Sequence, residues 1–477
     1  MFCENKKGIL ENKHFHFVGI GGIGMSALAG IITKMGCVVS GSDLARNNLT
    51  DDLRRGGARI FGGHSPSNLP KNAEIVVYSS SVQDNNPELR EAAARGLRTV
   101  QRGALLAELL NRKKGVTVAG THGKTTTSSL ISVVLTESGI DPTVAVGGEV
   151  VSLGSNARFG RSEWFVAESD ESDGSFLMLK PEIAVLTNVE MEHADYYRTM
   201  KSVLSAYGEF IRNIKRSGTL FYCVEDDNIA SIVKGANIRK ISYGLSSAAS
   251  VYPARMSSDG FRTSYICVRD GKKIGDVTLN LPGRHNILNS LAAIMVGMEI
   301  GAPFKNIAAS LAGFRGTKRR FQIRFEGCGI TLIEDYAHHP TEIRAVFGAV
   351  QNFHGRRKIA IFQPHRFSRT RQFAKKFGEC FEGVDMVILT DIYSASENPI
   401  EGVDARTIYN EMSGRESVNV IILKKEKIVD HVMGSLTDRD MIFVLGAGDI
   451  RNVADDLESR LRKKFVKFEG RKEREEA

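Results

Sequence analysis

The chain has 477 residues, of which 42% are hydrophobic and 25% charged, as is ordinary for a globular protein with room for about three domains. Lys and Arg number 64 against 55 Asp and Glu, a formal charge of +9, which favours anionic ligands. The excess is diffuse, no nucleic-acid-binding signature occurs, and no window approaches the ~20 apolar residues of a membrane span, so we expect neither nucleic acid nor a membrane as partner.

The first segment alternates strand and helix patterns. Between residues 15 and 111 the sequence predicts strands in HFHFVGI, CVVSGSD, ARIFG and EIVVYSS. It predicts helices over 24–36, 48–56 and 86–96. Strands that alternate with helices in this way favour a parallel sheet.

Two further α/β segments follow. The second restarts near residue 112 with GVTVAG and continues through EWFVAES, EIAVLTNV, GTLFYC and KISYGL to an apolar helix after Pro282. The third begins near GTKRRF and has strands GITLIEDY, KIAIFQP, MVILTDIY, VNVIIL and MIFVLGAG. It ends in RLRKKFVKFEGRKEREEA, which we interpret as a solvated helical tail. We therefore predict an α/β protein with three domains, at 1–112, 113–317 and 318–477.

Cysteine usage indicates the compartment. The six cysteines are scattered and form no CxxC pair, which is typical of reduced thiols. The N-terminal run MFCENKKGILENKHF lacks the long apolar stretch of a signal peptide. We therefore expect a cytoplasmic location. The cysteines are Cys3, Cys37, Cys223, Cys267, Cys328 and Cys380.

The run VTVAGTHGKTTTSSL is typical of a loop that holds the phosphates of a nucleoside triphosphate. In such loops glycines let backbone N–H groups close on phosphate oxygens, a lysine reaches the β and γ phosphates, and a hydroxyl ligates Mg²⁺. These roles fall to Gly120, Gly123, Lys124 and Thr125. Val118 stands where the standard motif has a glycine, so the loop is a shortened variant. The sequence predicts ATP and Mg²⁺ as cofactors.

An acidic cluster follows the strand in EWFVAES. Glu168, Asp170, Glu171 and Asp173 lie within six residues, and clustered acids repel one another unless a cation lies among them. Glu168, at the tip of the strand, is the predicted metal ligand, and an acidic surface loop is the alternative. His193 follows the strand in EIAVLTNV and is a second candidate ligand, although a lone histidine is usually structural.

The run HFVGIGGIGMS places Gly19, Gly21 and Gly24 at a strand-to-helix turn with the spacing of a dinucleotide-binding loop. Asp43 lies 19 residues after Gly24, where a dehydrogenase has its acidic ribose contact, so an NAD enzyme is one interpretation. The diphosphate of a sugar nucleotide satisfies the same geometry. The separate ATP loop favours the sugar nucleotide, because a redox enzyme has no evident use for it.

Together these stretches resemble the Mur ligases of bacterial peptidoglycan synthesis. The similarity spans nearly the whole chain and includes HFVGIGGIGMS, GTHGKTTT, AESDESDGSF, TNVEMEHADYY, PGRHNILN, GTKRRF, EDYAHHPTEI, FQPHRFSRTR, DIYSASENPIEGVD and GAGD. The shortened phosphate loop is normal for this family. The resemblance implies an N-terminal Rossmann-like domain for a UDP sugar, a central P-loop ATPase-like domain, and a C-terminal Rossmann-like domain that brings the amino acid.

The resemblance also implies roles for individual residues. The catalytic residues are Lys124, His338, His339, Arg366 and Arg369. The ATP contacts are Gly120, Thr121, His122, Gly123, Lys124, Thr125, Thr126, His285, Asn286, Asn289, Arg320 and Asp335. The UDP-sugar contacts are Gly19, Gly21, Gly22, Gly24, Met25, Ser26 and Asp43, and the metal ligands are Thr125, Glu168 and His193.

Within these sets, Arg366 and Arg369 are implied as anion contacts to the substrate and the amino-acid carboxylate. His338 or His339 could deprotonate the amine, with anion binding or packing as the alternative. We find no candidate for the carbamylated lysine that several members of the family use.

The motifs HFVGIGGIGMS and DYAHHPTEI most resemble those of the branch of the family that joins L-alanine to UDP-N-acetylmuramate through an acyl phosphate. A branch that adds a whole tripeptide to the same sugar is the nearest alternative. An NAD-dependent oxidoreductase and a non-catalytic nucleotide switch are the alternatives outside the family. We expect a monomer or a weak homodimer.

Overall fold

The computed structural model of the protein describes residues 12–193, 196–412 and 418–475, with side chains as far as residue 465. The chain forms two compact units. The first comprises the residues up to Ser257, with Thr263–Asn280 and Asn286–Arg315. The second comprises Ser258–Arg262, Leu281–His285 and the residues from Gly316 onward.

The first unit begins with five strands and four helices. The strands are β1 His14–Val18, β2 Val38–Asp43, β3 Arg59–Gly62, β4 Ile75–Tyr78 and β5 Arg98–Gln101. The helices are α1 Ile23–Lys34, α2 Asn48–Arg55, α3 Pro87–Ala94 and α4 Arg102–Leu110. All five strands are parallel, in the order β3-β2-β1-β4-β5, which confirms the predicted parallel sheet. The order reverses between β1 and β4, and ligands of open α/β sheets bind at such a switch point.

A buried carboxylate ties this sheet to the glycine loop that follows β1. Glu88 on α3 has no exposed surface and accepts hydrogen bonds from His16 on β1 (3.0 Å), Ser42 on β2 (2.6 Å) and Asn68 (3.0 Å). Burial alone would raise the pKa of Glu88, but these hydrogen bonds outweigh it and lower the pKa to about 2. The carbonyl of Ser42 accepts the N–H of Gly19, so the network fixes the start of the loop.

A second sheet in the first unit has ten strands. They are β6 Lys114–Ala119, β7 Thr143–Val150, β8 Ser155–Arg158, β9 Trp164–Glu168, β10 Ile183–Leu186, β11 Thr219–Cys223, β12 Arg239–Tyr243, β13 Val251–Asp259, β14 Arg262–Arg269 and β15 Lys272–Leu279. Their order is β15-β14-β13-β12-β11-β10-β6-β9-β7-β8. The helices are α5 Lys124–Glu137, α6 Met200–Arg212, α7 Asp227–Val233, α8 Arg284–Ile300 and α9 Phe304–Gly313. The neighbours of β6 on both sides are parallel to it, so the ends of β6, β9 and β10 meet at one edge.

The second unit contains a six-stranded sheet. Its strands are β16 Gln322–Gly327, β17 Ile330–Asp335, β18 Arg357–Phe362, β19 Met386–Leu389, β20 Asn419–Ile422 and β21 Asp440–Leu445. Their order is β16-β17-β21-β18-β19-β20, and only β16 pairs antiparallel. The helices are α10 Pro340–Gly348, α11 Phe367–Glu379, α12 Ala405–Met412, α13 Lys425–Gly434 and α14 Arg451–Glu475. The three sheets confirm the predicted α/β fold class.

Three short 3₁₀ turns complete the described elements, at Pro66–Asn68, Val151–Leu153 and Ser175–Met178. Among the helices of the described residues, none combines the length and the apolar character that crossing a bilayer requires. No disulfide joins the five cysteines that the structure describes, and Cys3 lies outside the described residues.

Candidate active site

The loop between β6 and α5 is shaped to hold an anion. Gly120 and Gly123 have φ angles of +133° and +81°, values that favour glycine. Gly123 is the N-cap of α5, no side chain caps this helix, and its first turn carries no acid. Thr126 in that turn is partly exposed. No acid of α5 itself therefore offsets the positive end of this helix, which leaves its first N–H groups suited to a phosphate.

The residues after β10 hold this loop in place. Asn188 accepts the N–H of Thr121 on its carbonyl (2.9 Å) and the N–H of His122 on its side-chain oxygen (2.8 Å). Thr187 donates its hydroxyl to the carbonyl of His122 at 2.7 Å. A Cβ on Gly120 would lie 2.1 Å from that hydroxyl oxygen, so a glycine is required there. The sequence analysis missed Thr187 and Asn188, although their position after a buried strand in TNVEMEH was a usable signal.

Lys124 already has a carboxylate partner. Its ammonium lies 2.9 and 2.8 Å from the two carboxylate oxygens of Glu171. It also donates to the carbonyls of Gly120 and Thr121, at 2.5 and 3.0 Å. Burial opposes the charge of Lys124, but the attraction of Glu171 outweighs it and raises the pKa of the ammonium. A phosphate that reaches Lys124 must therefore replace Glu171 as its partner.

The structure brings two of the three predicted metal ligands together. The hydroxyl of Thr125 donates to Glu168 at 3.2 Å, and Glu168 also accepts from Ser128 (3.1 Å) and from the N–H of Gly147 (2.5 Å). Oxygen donors of this kind suit Mg²⁺. His193 has a left-handed backbone, with φ of +52°. Its Nε2 lies 3.7 Å from Glu171, so the histidine faces the acidic segment after β9.

Protein cations already accompany part of the acidic cluster. Lys124 pairs with Glu171, and Arg102 donates to Asp170 at 2.9 Å. Asp173 accepts a backbone N–H two residues on, at 3.0 Å. The clustering of acids alone is therefore weaker evidence for a metal than the sequence suggested. The contact between Thr125 and Glu168 is the structural support for that prediction.

The asparagines of α8 lie beside the phosphate loop. Asn289 accepts the hydroxyl of Thr127 at 3.0 Å and donates to Asn286 at 3.1 Å. A Cβ on Gly123 would lie 2.9 Å from the side-chain oxygen of Asn289. His285, the residue before Asn286, belongs to the second unit. Burial lowers the pKa of its imidazole to about 4, so this ring is neutral at physiological pH.

The glycine loop after β1 is held by β2. The N–H groups of Gly19 and Ile20 both donate to the carbonyl of Ser42, at 2.9 and 3.0 Å. The N–H of Gly21 donates to Asp43 at 2.8 Å. Asp43, predicted as a UDP-sugar contact, thus fixes the backbone of the loop itself. Gly22 is the N-cap of α1, which has no side-chain cap and no acid in its first turn.

Three further predicted contacts lie in the first turn of α1. Met25 and Ser26 are buried, and the Ser26 hydroxyl donates to the carbonyl of Ile23 at 3.0 Å. Gly24 lies under Arg102, because a Cβ on this glycine would be 3.0 Å from the Cδ of Arg102. Met25 and Ser26 therefore anchor the helix, while Gly24 leaves room for a guanidinium that the sequence analysis did not select.

The paired histidines of the second unit have opposite hydrogen-bonding roles. Nδ1 of His338 lies 3.0 Å from the carbonyl of Tyr336 and 3.3 Å from a carboxylate oxygen of Glu342, so in a neutral ring this nitrogen carries the proton and Nε2 has the lone pair. Nδ1 of His339 accepts the N–H of Thr341 at 3.3 Å as the N-cap of α10, which puts the proton of a neutral ring on Nε2. This assignment favours His338 as the proton acceptor.

Asp335 ends β17 and organises the backbone around it. Its two carboxylate oxygens accept the N–H groups of Phe321 (2.6 Å) and Ala337 (2.7 Å). Burial raises the pKa of this carboxyl to about 6, against the opposing attraction of Arg320. The guanidinium of Arg320 lies over the ring of Tyr336, 4.9 Å from its centre. Asp335 thus fixes the segments that carry Arg320 and His338.

The two predicted arginines of PHRFSRT differ in their surroundings. Arg366 is the N-cap of α11 with φ of +70°, and its guanidinium lies 3.9 Å from Glu397. Arg369 is 3.1 Å from Nδ1 of His365, and the His365 and His338 rings are 5.5 Å apart. The structure therefore groups Arg369, His365 and His338, while Arg366 faces Glu397. His365 was not among the predicted site residues, although it lies within the motif PHRFSRT.

Three family models match consecutive parts of the chain. They are the Mur ligase family catalytic domain at residues 14–114, the Mur ligase middle domain at 118–297 and the Mur ligase glutamate ligase domain at 319–448. A curated UDP-N-acetylmuramate–L-alanine ligase from Geobacter sp. (strain M21) is 43% identical over 452 residues, which are 94% of this chain and 98% of that protein.

Solved structures give the same result. The UDP-N-acetylmuramate-alanine ligase of Thermotoga maritima has a TM-score of 0.81 and 28% identity, over 94% of this chain and 99% of that one. A murein peptide ligase from Psychrobacter arcticus has a TM-score of 0.71 and 23% identity, over 94% and 98% of the two chains, a likeness of fold. With matches along almost its entire length, the chain belongs to the Mur ligase family.

Proposed function

We propose that the chain is an ATP-dependent ligase that joins L-alanine to the lactyl carboxylate of UDP-N-acetylmuramate, the first amino-acid addition in peptidoglycan precursor synthesis. The observation that carries this proposal is the 43% identity to a curated UDP-N-acetylmuramate–L-alanine ligase over 94% of this chain. Two separate glycine loops that lead into uncapped helices of the first unit support it, because the reaction uses two phosphorylated substrates. The same relative favours the alanine ligase over the tripeptide-adding branch.

The loop from Gly120 to Thr125 is the proposed site for the phosphates of ATP. The uncapped start of α5 and the ammonium of Lys124 supply positive charge there. Asn286 and Asn289 lie beside this loop and are proposed contacts of the nucleotide.

Thr125 and Glu168 would hold Mg²⁺, since their oxygens are 3.2 Å apart and are the donors that this ion prefers. His193 is the proposed third ligand. The ion would neutralise charge on the transferred phosphate. Thr125 and Glu168 are themselves fixed by α5 and the tip of β9, so this chain provides two preorganised oxygen ligands.

The loop from Gly19 to Gly24 is the proposed site for the diphosphate of the UDP sugar. Its backbone is held by Ser42 and Asp43, and α1 starts there without a capping side chain. The glycines allow the close backbone approach that a diphosphate requires. No feature of this loop requires a nicotinamide.

A carboxylate is a poor electrophile, so amide formation needs activation. A lactyl carboxylate oxygen attacks the γ-phosphorus, the bond from that phosphorus to the β–γ bridging oxygen breaks, and ADP leaves. The nitrogen of alanine then attacks the acyl carbon, and phosphate leaves with the former carboxylate oxygen. Lys124 offsets the repulsion between the reacting anions.

The amine of alanine must lose a proton during the second step. The lone pair that its hydrogen bonding assigns to Nε2 of His338 makes this nitrogen the proposed acceptor. Arg369, in the same cluster, is the proposed contact of the amino-acid carboxylate, and Arg366 is a second anion contact. Arg320 is proposed to bind ATP, and Asp335 to position the segment that carries it.

Domain boundaries at 1–112, 113–317 and 318–477, a cytoplasmic location and a monomeric or weakly dimeric state remain predictions. The proposed activity is tested by phosphate release from ATP and UDP-N-acetylmuramate with each of the twenty amino acids in turn. Release that depends on L-alanine, with weaker response to glycine and serine, is the expected result. Release that depends on a peptide, and on no single amino acid, would assign the chain to the tripeptide-adding branch.

A further inference from the structure

Arg102 lies between the glycine loop after β1 and the acidic segment after β9. It opens α4, directly after β5. Its stem crosses the first turn of α1, because a Cβ on Gly24 would lie 3.0 Å from its Cδ and 3.2 Å from its Nη1. Its Nη2 donates to Asp170 at 2.9 Å, and 16% of the side chain is exposed. One guanidinium thus contacts both the diphosphate loop and the acidic segment after β9.

The position of this guanidinium is electrostatically unusual. The start of a helix carries partial positive charge, so a cation there is unfavourable by itself. α1 has no acid in its first turn and no capping side chain, and the nearby acids Asp43 and Asp170 bond the N–H of Gly21 and the far side of the guanidinium. An anion placed between the guanidinium and the start of α1 removes this repulsion, and a phosphate group fits both partners.

The opposite end of the contact leads to the nucleotide loop. Asp170 also accepts the N–H of Ser172 at 3.1 Å, which fixes the turn of the acidic segment. Glu168 and Glu171 flank Asp170 in that segment, and they bond Thr125 and Lys124 of the nucleotide loop. Movement of Asp170 therefore bears on the residues that hold the phosphates of the nucleotide.

We propose that Arg102 binds the diphosphate of the sugar nucleotide and, through Asp170, couples the occupancy of the two loops. The inference rests on the proposed function, which makes a UDP sugar the ligand of the first loop. A guanidinium has five N–H donors, so Arg102 can bind a phosphate oxygen through Nη1 or Nε while Nη2 keeps Asp170. Binding of the diphosphate orders Arg102, Asp170 and the acidic segment, and a nucleotide that binds afterwards loses less entropy.

This coupling is positive and reciprocal. UDP-N-acetylmuramate should tighten the binding of ADP, and ADP should tighten the binding of the sugar nucleotide by the same factor. The coupling requires Asp170, whereas direct binding of the diphosphate requires only Arg102. The two residues can therefore be separated by substitution.

Calorimetry on the full chain tests both parts. Dissociation constants are measured for UDP-N-acetylmuramate alone, for ADP alone, and for ADP with the sugar nucleotide saturating. Arg102→Ala should raise the dissociation constant of UDP-N-acetylmuramate at least about tenfold, as expected for the loss of a charged hydrogen bond. The dissociation constant of ADP measured without the sugar nucleotide should not change. Arg102→Lys keeps the positive charge but loses the planar set of N–H donors of the guanidinium. Its affinity for the sugar nucleotide should lie between those of the unmutated protein and Arg102→Ala. Asp170→Asn should bind UDP-N-acetylmuramate with unchanged affinity, but the bound sugar nucleotide should no longer increase the affinity of this variant for ADP.

Arg98→Ala is the matched control, because Arg98 lies four residues earlier and pairs with Glu108 at the surface. It should behave as the unmutated protein. Normal binding of the sugar nucleotide to both Arg102 variants would overturn the direct contact, and undiminished coupling in Asp170→Asn would overturn the relay. If the unmutated protein does not bind UDP-N-acetylmuramate, the proposed function fails and this inference fails with it. If the unmutated protein binds UDP-N-acetylmuramate and the variants behave as it does, only this inference fails and the proposed function stands.

Discussion

Glu171 holds Lys124 through both carboxylate oxygens, at 2.9 and 2.8 Å. A phosphate must replace this carboxylate, so Glu171 competes with the nucleotide for the ammonium. Glu171→Gln keeps the shape and removes the charge. It should bind ADP about tenfold tighter in the presence of EDTA, because one charge-assisted contact is worth ~1.5 kcal/mol or more. Calorimetry measures the dissociation constant of ADP. Lys124→Met is the comparison, because loss of the ammonium should weaken the binding of ADP. Weaker binding to Glu171→Gln would show that Glu171 prepares the site and does not compete for it.

Glu168 is predicted to connect Mg²⁺ to the nucleotide. Loss of even an outer partner of a metal ligand lowers metal affinity ~10–100-fold, so Glu168→Gln should remove the gain in ADP affinity that Mg²⁺ gives the unmutated protein. The fold should persist, as monitored by circular dichroism. Glu163→Gln is the matched control, because Glu163 precedes β9 with an exposed side chain paired to Lys114. A Mg²⁺-dependent gain that survives in Glu168→Gln would refute the assignment.

Gly21 is predicted to be specific to the sugar nucleotide. A Cβ there would lie 2.9 Å from a carboxylate oxygen of Asp43 and 3.0 Å from the amide nitrogen of Asn47. Gly21→Ala should displace Asp43 from the loop backbone and raise the KM for UDP-N-acetylmuramate about tenfold, the loss of one charged hydrogen bond. The KM values for ATP and alanine should not change.

The control for this substitution is Gly30→Ala in the same helix, where the new Cβ would be 3.8 Å from Leu53. It should stabilise α1 by ~1 kcal/mol and leave all three KM values alone. Steady-state kinetics and thermal unfolding measure the two effects. An equal rise of all three KM values in Gly21→Ala would mean that the substitution acts on the fold and not on one substrate.

The two adjacent histidines should respond differently to the same substitution. His338→Asn removes the proposed proton acceptor, so kcat should fall ~10²-fold or more while ADP still forms in the first turnover. His339→Asn keeps an oxygen that can accept the Thr341 N–H, so α10 keeps its cap and kcat should be retained. Rapid-quench kinetics separate the two steps. A larger loss of kcat in His339→Asn than in His338→Asn would reverse the assignment of the base.

The sequence predicted most of the buried parallel strands but missed β7, which pairs parallel with β9 and is buried over its first four residues, and several half-exposed strands. All fourteen strands inferred from apolar runs are present, whereas β5, with the polar sequence RTVQ, was missed. The hairpin of β14 and β15 was also missed, although its turn was readable. Asp270 and Gly271 have φ angles of +47° and +75°, and an Asp-Gly pair between alternating strands is a strong hairpin signal. α1 ends at Lys34, two residues before the predicted end, because Gly36 is left-handed with φ of +87°.

The candidate site was predictable where a motif is continuous. The loop from Gly120 to Thr125 needs only local geometry, so its residues were found. The partners of this loop come from other strands. Glu171 is 47 residues from Lys124, and sequence spacing does not tell which of four clustered acids meets the lysine. Arg102 is 68 residues from Asp170 and belongs to no motif, so only the fold identifies it.

In the proposed reaction the lactyl carboxylate is activated as an acyl phosphate before L-alanine attacks. UDP-N-acetylmuramate with ¹⁸O at both oxygens of that carboxylate is incubated with ATP and L-alanine, and both products are examined by mass spectrometry. We expect an alanine amide of the sugar nucleotide and one ¹⁸O atom in each phosphate released. Phosphate without ¹⁸O, or no amide product, would contradict it.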